Sequence, residues 1–198
     1  YQIHLNIPGQ INAAGVSFLG VPILMIGFNE NVAWTHTVSK AKRFGLFDLQ
    51  LDPDNPLQYV VDGKVEPMQR RTVTIKTKQA TGEIRTVTRT LFRTRFGPII
   101  DLGGAHPAFS WHAGKALAIR DINEHNSKAY TNFLQWSQAR SLDEFISIQK
   151  SISAMPWVNT SAIGRNDGRV WFADIGAVPN APDELRQRCR TELSEAFA

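Results

Sequence analysis

The chain has 198 residues, of which 42% are hydrophobic and 20% are charged, and its formal net charge is +4. This is the composition of a globular protein, and it excludes a disordered chain. No apolar run approaches the ~20 residues that cross a bilayer, so we expect no membrane span. The length predicts a single domain over residues 1–198 with a core of its own.

Short apolar runs broken by glycine, proline and asparagine predict strands in the first part of the chain. They cover residues 1–7, 15–19, 23–28, 32–38 and 44–51. Asp62-Gly63, between two further apolar runs, is typical of a two-residue hairpin turn. A second hairpin is predicted from residues 72–78 and 83–92, on either side of Ala80-Thr-Gly82.

Basic side chains concentrate between Arg70 and Arg95. One interpretation is a face that binds nucleic acid. The other is the solvated side of a hairpin, since residues 72–78 alternate with period two and place Val73 and Ile75 on one face. We favour the hairpin and expect no nucleic-acid partner, because no recognition motif or aromatic stacking platform accompanies the charge.

Two helices are predicted in the last third of the chain. Ser127 is a candidate N-cap for a helix with Tyr130, Phe133 and Leu134 on one face. Residues 141–144, Ser-Leu-Asp-Glu, form a capping box that begins the second helix.

Pro156 is expected to end the second helix, and Asn166-Asp-Gly168 to join two strands, 157–163 and 169–174. Strands, two helices and further strands predict an α+β fold with a mainly antiparallel sheet. The tail from Pro179 is polar and weakly patterned. It holds the single cysteine, Cys189, for which pairing with a cysteine elsewhere would suit an oxidising compartment.

No catalytic triad is supported by the pattern. The stretch around Ser17 lacks the second glycine of a nucleophile elbow. His36 is the candidate general base, but on a strand beside Trp34 a packed histidine is the expected reading. The other histidines lack metal-ligand spacing, and residues 52–55 lack the glycine and the terminal glutamate of a calcium loop, so we expect no metal and no cofactor.

One run carries a family resemblance. Residues 26–38 read Ile-Gly-Phe-Asn-Glu-Asn-Val-Ala-Trp-Thr-His-Thr-Val, after Gly-Val-Ser-Phe-Leu-Gly-Val-Pro-Ile at 15–23. The run resembles the β-chain signature of the penicillin acylase family of N-terminal-nucleophile amidases. Through residues 34–38 the closer likeness is to acyl-homoserine-lactone acylases and aculeacin acylases. Further segments fit the same β-chain in the same order: 1–5, 7–9, 52–53 with 59–63, 96–98, 118–123 and 156–160.

The resemblance implies a four-layer αββα sandwich of which this chain would form a part. Chains of the family begin with a nucleophilic serine, usually as Ser-Asn, whereas this chain begins at Tyr1 and holds no Ser-Asn. We therefore expect an internal piece of the β-subunit, without the nucleophile and without a downstream oxyanion asparagine. Such a piece is expected to be inactive by itself.

The resemblance also implies roles for particular residues. In the family mechanism the α-amine of the nucleophilic residue is the base for its own hydroxyl. The backbone N–H of Val38 would donate to the developing oxyanion, beside Thr37 in the substrate site. The acyl pocket would be lined by Phe18, Val21, Met25, Trp157 and Val158, although apolar residues in strands are also what a plain core contains.

The expected function is that of an amide hydrolase that removes the acyl chain from acyl-homoserine lactones, lipopeptides or penicillins. Its partners would be the small-molecule N-acyl substrate, the α-subunit and the rest of the β-subunit of one precursor. That precursor would be a zymogen that matures by self-cleavage in the periplasm or outside the cell. The alternative is a non-enzymatic α+β binding module with a basic face for an acidic partner.

Overall fold

The computed structural model describes residues 1–105 and 107–191. These residues contain thirteen strands and three α-helices, joined by loops. The strands are β1 (Gln2–Ile7), β2 (Ile11–Val16), β3 (Ile26–Asn29), β4 (Val32–Val38), β5 (Phe44–Asp52), β6 (Asn55–Val61), β7 (Lys64–Pro67), β8 (Gln69–Lys78), β9 (Ile84–Thr94), β10 (Gly97–Ile100), β11 (Lys115–Asp121), β12 (Val158–Gly164) and β13 (Val170–Ala173). The helices are α1 (Lys128–Trp136), α2 (Leu142–Ile152) and α3 (Asp183–Arg188).

The predicted single domain consists of two compact units. Unit 1 comprises Tyr1–Arg43 and Ile122–Pro179, and unit 2 comprises Phe44–Asp121 with the described residues that follow Pro179. Both are built on antiparallel sheets, which together with the helices confirms the predicted α+β class. A third helix, α3, lies in the polar tail, where none was predicted.

Unit 1 is a six-stranded sheet in the order β1-β2-β3-β4-β12-β13, with α1 and α2 packed against one face. Aromatic side chains dominate its core. Trp136 stacks on Phe145 with ring centroids 4.1 Å apart, and Trp34 lies 6.0 Å from Phe145. The core is continued by buried aliphatic side chains, among them Leu24, Val32, Leu142 and Met155.

The strand predicted over residues 15–19 is wrong in its position. β2 spans Ile11–Val16, and the chain leaves the sheet at Ser17. Leu19 is 94% exposed, so its apolar character reflects a loop and not a core strand. The strand lies earlier because Gly15 faces Gly27 of β3, which lets the two backbones approach closely.

The first helix has a different buried face from the one predicted. Phe133 is buried, but Tyr130 and Leu134 are 53% and 43% exposed, while Asn132 is fully buried. Ser127 precedes α1 without a side-chain capping bond. The buried face of α1 was predicted wrongly because Asn132, a polar residue, interrupts the apolar pattern of that face.

The capping box of α2 is confirmed. Ser141 Oγ accepts a hydrogen bond from Glu144 N–H at 3.1 Å, and the Glu144 carboxylate accepts one from Arg140 N–H at 2.8 Å. The helix ends at Ile152, because Ser153 adopts a left-handed conformation with φ of 49° before Pro156 is reached.

Unit 2 is a seven-stranded sheet in the order β7-β6-β5-β11-β10-β9-β8. Both predicted hairpins are present in it. Asp62 and Gly63 have positive φ angles of 50° and 73°, as the turn between β6 and β7 requires. Its core consists of Leu49, Leu51, Tyr59, Met68, Ala116 and Ala118.

None of the helices among the described residues is long and apolar enough to cross a membrane. Cys189 is exposed and its thiol is free.

Candidate functional site

The ends of β4 and β12 bring four of the predicted site residues together. Val38 lies opposite Val158, and Thr37 lies opposite Asn159. One step further along, Ser39 N–H donates to the carbonyl oxygen of Trp157 at 2.9 Å. Thr37, Val38, Trp157 and Val158 therefore lie together where the neighbouring strands β4 and β12 meet at one end of the unit 1 sheet, although 120 residues separate Val38 from Val158 in sequence.

The direction of the Val38 N–H follows from the strand register. Opposite residues in an antiparallel pair alternate between those that exchange hydrogen bonds and those that do not. Because Ser39 bonds to Trp157, the next pair, Val38 and Val158, is of the second kind. The Val38 N–H is thus directed to the other edge of β4. On that edge β3 pairs with β4 only as far as Trp34, so Val38 lies beyond the end of β3.

The side chain of Asn159 links β12 to the end of β4 and to Asp174, which follows β13. Its amide oxygen accepts from Thr37 Oγ1 at 3.1 Å when its nitrogen donates to both carboxylate oxygens of Asp174 at 3.2 Å. In this orientation the Asn159 nitrogen faces acceptors and its oxygen faces a donor, as required because a carboxylate can only accept. Asn159 was not predicted as a site residue, and its position opposite Thr37 becomes apparent only from the register of β12.

The loop from Ser17 to Met25 carries the other three predicted pocket residues. Val21 N–H donates to Phe18 O at 3.1 Å, and Val21 O accepts from Tyr1 Oη at 2.7 Å and from Ser17 Oγ at 3.0 Å. Phe18 is 62% exposed and belongs to neither core cluster. Met25 is partly buried against the unit 1 core, and its carbonyl oxygen accepts from Trp34 Nε1 at 2.8 Å.

The pocket residues differ in burial. Val158 is buried in the core, and Trp157 is half-buried beneath the Arg43 guanidinium, 4.8 Å from the ring centroid. Two clefts in unit 1, of about 720 Å³ and 390 Å³, are lined by none of the seven predicted site residues. The larger lies at the turns β1–β2 and β3–β4, at the opposite end of β4 from Val38. The predicted pocket residues therefore line neither of these two clefts.

His36 is packed and hydrogen-bonded, in agreement with the reading that we favoured over a general base. Its ring stacks on Trp136 at 5.8 Å and meets Phe133 edge-on at 5.6 Å. Nδ1 lies 3.1 Å from Asn159 O and 3.4 Å from Thr160 Oγ1, and Nε2 is buried without a partner among the described residues. Burial lowers the pKa of His36, against smaller raising contributions from hydrogen bonds to backbone carbonyls.

The hydrogen bonds of the Asn29 side chain explain why an asparagine stands at this position of the 26–38 run. Its side-chain oxygen accepts from Asn31 N–H and Val32 N–H at 2.8 and 2.9 Å. Its nitrogen lies 2.9 to 3.4 Å from three carbonyl oxygens at the end of α1, those of Trp136, Ser137 and Ala139. One amide therefore joins the β3–β4 turn to the helix that covers the sheet.

No group of three or more His, Cys, Asp or Glu side chains that could hold a metal ion occurs in residues 1–105 and 107–191. The segment after Val38 instead presents Lys40 and Lys42, both exposed.

Comparison with known proteins gives consistent matches. A family model described as penicillin amidase matches residues 1–192. The chain is 37% identical to acyl-homoserine lactone acylase PvdQ of Pseudomonas fluorescens over 96% of its length and 24% of that protein. It is 36% identical to aculeacin-A acylase of Actinoplanes utahensis, over 96% of this chain and 23% of the relative.

A solved structure shares the fold. It is a thermostable penicillin G acylase from Alcaligenes faecalis, with a TM-score of 0.73 and 22% identity, covering 93% of this chain and 31% of that one. The chain spans about a quarter of the length of the curated relatives that it matches.

Proposed function

Because the chain belongs to the penicillin amidase family, we propose that it is the part of an acylase that contributes an oxyanion donor and acyl-binding surface. The acylase removes the acyl chain from an N-acyl compound, with acyl-homoserine lactones, lipopeptides and penicillins as the candidate substrates. The observation that carries the proposal is the Val38 N–H, which is directed away from β12 beyond the end of β3.

In the proposed reaction, a serine hydroxyl attacks the amide carbonyl carbon and its proton passes to the serine's own α-amine. The carbonyl oxygen gains negative charge, and the Val38 N–H donates a hydrogen bond to it. The C–N bond then breaks, the amine leaves with a proton, and water later hydrolyses the acyl ester. The serine and a second donor, an asparagine, come in this proposal from other parts of the same precursor.

The contribution of Val38 depends on rigidity more than on its side chain. A donor that is already aimed at the developing oxyanion needs no reorganisation, and one such donor contributes roughly 3–4 kcal/mol to transition-state stabilisation. The hydrogen bond that Thr37 donates to Asn159, whose own amide nitrogen donates to Asp174, ties the end of β4 to β12. We therefore assign Asn159 to positioning and Val38 to the reaction itself.

The acyl chain would lie against Phe18, Val21, Met25, Trp157 and Val158. The exposed ring of Phe18 supports this role, since 62% exposure leaves it available for contact with an apolar ligand or a neighbouring segment. The partners of the chain would be the α-subunit and the rest of the β-subunit. In this proposal the precursor is a zymogen that matures by self-cleavage, and the enzyme is periplasmic or secreted.

The proposal is tested in the complete open reading frame by two substitutions at Val38. Val38→Pro removes the N–H, and because that N–H is directed away from β12 it takes no hydrogen bond from the β4–β12 ladder. Val38→Ala keeps the N–H and is the matched control. We expect kcat for a chromogenic N-acyl substrate to fall about 10²–10³-fold for Val38→Pro and to stay within a few-fold for Val38→Ala. Full activity in a folded Val38→Pro enzyme would exclude Val38 as the donor.

The alternative, a non-enzymatic binding module, is favoured by one observation, the cations of the β8–β9 hairpin. The complete open reading frame separates the two functions. Self-cleavage and hydrolysis across a panel of N-acyl substrates support the acylase. An uncleaved, inactive product from an intact reading frame would support the binding module.

A further inference from the structure

The hairpin of β8 and β9 holds much of the positive charge of the chain. The two strands contain seven Lys and Arg and no Asp or Glu, and Glu83 in the turn is the single carboxylate of the hairpin. The hairpin thus has a net charge of +6 and the remaining residues −2, which gives the total of +4. The seven cations are Arg70, Arg71, Lys76, Lys78, Arg85, Arg89 and Arg93.

Six of the seven cations form no ion pair with another described residue. Among the residues that the structure describes, the ion pairs lie elsewhere, as in Arg95–Glu66, Lys115–Asp48 and Arg169–Asp167. None of them includes Arg70, Arg71, Lys76, Lys78, Arg85 or Arg89. A cluster of one sign without counter-charges produces a field that attracts anions.

The strand register divides the hairpin into two faces of different chemistry. Arg71 lies opposite Leu91, Val73 opposite Arg89, and Ile75 opposite Val87. This side, which we call the aliphatic face, alternates arginine with aliphatic side chains and also includes Arg85. The other side, the threonine face, places Arg70, Lys76 and Lys78 among threonines at 72, 74, 86, 88 and 90, with Phe92 and the exposed Ile84 at its two ends.

The aliphatic face exposes two large aliphatic side chains between its arginines. Ile75 is 52% exposed and Leu91 is 55% exposed. β9 pairs with β10 only at Arg93 and Thr94, so most of the hairpin is two strands wide. A two-stranded hairpin is at best marginally stable in water, which favours a function in which the aliphatic face is covered.

We propose that the aliphatic face of this hairpin docks on an anionic phospholipid surface. Guanidinium groups bind phosphates through paired N–H donors, and aliphatic side chains enter the boundary between headgroups and acyl chains. The aliphatic face supplies both in alternation, at about 7 Å per two residues. The proposal is independent of the acylase assignment, because it uses no residue of the candidate site.

Two other anionic partners fit the hairpin less well. Single-stranded nucleic acid needs aromatic side chains on which bases stack, and the aliphatic face has none between Arg71 and Leu91. An acidic peptide could add a strand to the free edge of β8. However, cations on an edge strand, here Arg70, Arg71, Lys76 and Lys78, act against such pairing.

The test is co-sedimentation of the 198-residue chain with vesicles. Vesicles of phosphatidylcholine with phosphatidylglycerol are compared with vesicles of phosphatidylcholine alone, at increasing NaCl concentration. We expect binding to the anionic vesicles only, weakening as salt screens the charges. Equal binding to the two vesicle types, or no binding to either, overturns the proposal.

Two triple variants, each of which removes three positive charges, test which face of the hairpin docks. Arg71→Gln, Arg85→Gln and Arg89→Gln together change the aliphatic face, and Arg70→Gln, Lys76→Gln and Lys78→Gln together change the threonine face. We expect the first variant to lose on the order of 100-fold in vesicle affinity, and the second no more than about tenfold. Equal losses would mean that the hairpin acts only through its total charge, which contradicts docking by one face.

A third variant tests the aliphatic component without changing charge. Ile75→Ser with Leu91→Ser should weaken vesicle binding at least severalfold while the circular dichroism spectrum stays unchanged, because both side chains are exposed. Unchanged binding by this folded variant contradicts insertion. Tighter binding to a single-stranded oligonucleotide than to anionic vesicles would assign the surface to nucleic acid instead.

Discussion

The Nδ1 of His36 lies 3.1 Å from the carbonyl oxygen of Asn159, and this contact determines the protonation of the ring. A carbonyl oxygen can only accept, so in this hydrogen bond Nδ1 carries the proton and Nε2 is an acceptor. Protonation of Nε2 would place a positive charge at a buried atom without a partner among the described residues. Desolvation therefore lowers the pKa of His36 in the folded state.

The lowered pKa of His36 makes the stability of the chain depend on pH. Below about 6.5, the ordinary value, the unfolded state binds a proton that the folded state resists, so the free energy of unfolding decreases as the pH falls. His36→Phe keeps an aromatic ring between Phe133 and Trp136 but cannot titrate. We expect urea unfolding between about pH 5 and pH 8 to show a shallower pH dependence for His36→Phe.

His125→Phe, the same substitution at an exposed histidine, is the control for the change of side chain itself. An identical slope in wild type and His36→Phe would show that His36 does not cause it.

Phe18 can be tested in the same way for a role in specificity. Because it is 62% exposed, Phe18→Ala should change the free energy of unfolding by no more than about 0.5 kcal/mol. In the complete enzyme it should deepen the acyl pocket and shift the preference in kcat/KM toward longer acyl chains. One methylene in an apolar pocket corresponds to roughly 1–3 kcal/mol of discrimination, so a chain-length series resolves the shift.

Leu24→Ala is the matched control for Phe18→Ala, since Leu24 is fully buried in the unit 1 core nearby. It should cost about 2–5 kcal/mol of stability. A Phe18→Ala enzyme with an unchanged chain-length profile would exclude Phe18 from the pocket.

At the scale of elements, the close approach of β2 and β3 depends on two facing glycines. A Cβ on Gly15 would lie 2.1 Å from Ile26 O and 2.6 Å from the Cα of Gly27, both backbone atoms that cannot rotate away. Gly15→Ala should therefore separate the strands and cost about 3 kcal/mol, the upper end for an overpacked site. Urea unfolding of the purified variant measures the loss.

Gly168→Ala is the control for Gly15→Ala, because a Cβ there meets nothing within 4 Å. Its effect on the unfolding midpoint should be small. Comparable losses for the two variants would mean that backbone proximity at Gly15 is not the cause.

Local signals predicted the elements whose geometry is decided locally. The run of β4 was predicted at residues 32–38, and the turn at Asp62-Gly63 and the capping box at Ser141 each have the geometry that their sequences indicate. β2 was misplaced because its position is set by Gly15 facing Gly27, a contact between separate strands. β11 was not predicted as a strand, since its run of buried and half-buried residues at 116–119 becomes informative only beside β5 and β10.

For the candidate site, the resemblance predicted the main residues but not the side-chain contacts between them. The resemblance placed Val38, Thr37, Trp157 and Val158 in one site, and the structure brings them together through the β4–β12 register. Their roles stay a prediction. The bridge between Thr37, Asn159 and Asp174 could not be predicted, because it joins β4, β12 and the residue after β13, and the sequence leaves the order of these strands open.

At the scale of the whole molecule, one face of the unit 1 sheet is covered by helices and the other is exposed. A row of side chains crosses the uncovered face from strand to strand, with Phe28, Ala33, Ile163 and Val170 in register. Phe28, Ile163, Val170 and Phe172 are 56%, 52%, 74% and 63% exposed. An apolar surface of this kind is typical of an interaction site.

We expect the isolated 198-residue chain to bind a hydrophobic dye or to self-associate through this face. Phe28→Ser with Phe172→Ser should reduce dye fluorescence, whereas Leu19→Ser, at a 94% exposed loop position, should not. Fluorescence titration and analytical ultracentrifugation measure the two effects. A strictly monomeric chain at high concentration that binds no dye would contradict the prediction.

The order of the unit 1 sheet has a consequence for biosynthesis. The partner of β4 begins about 120 residues after Val38, and unit 2 strands β5 to β11 are all encoded in between. At roughly 5–20 residues per second, the ribosome delivers β12 about 6–24 s after β4. All strands of unit 2 have therefore been synthesised before the edge of β4 that pairs with β12 can find its partner, and an unpaired strand edge is exposed to incorrect pairing during that interval.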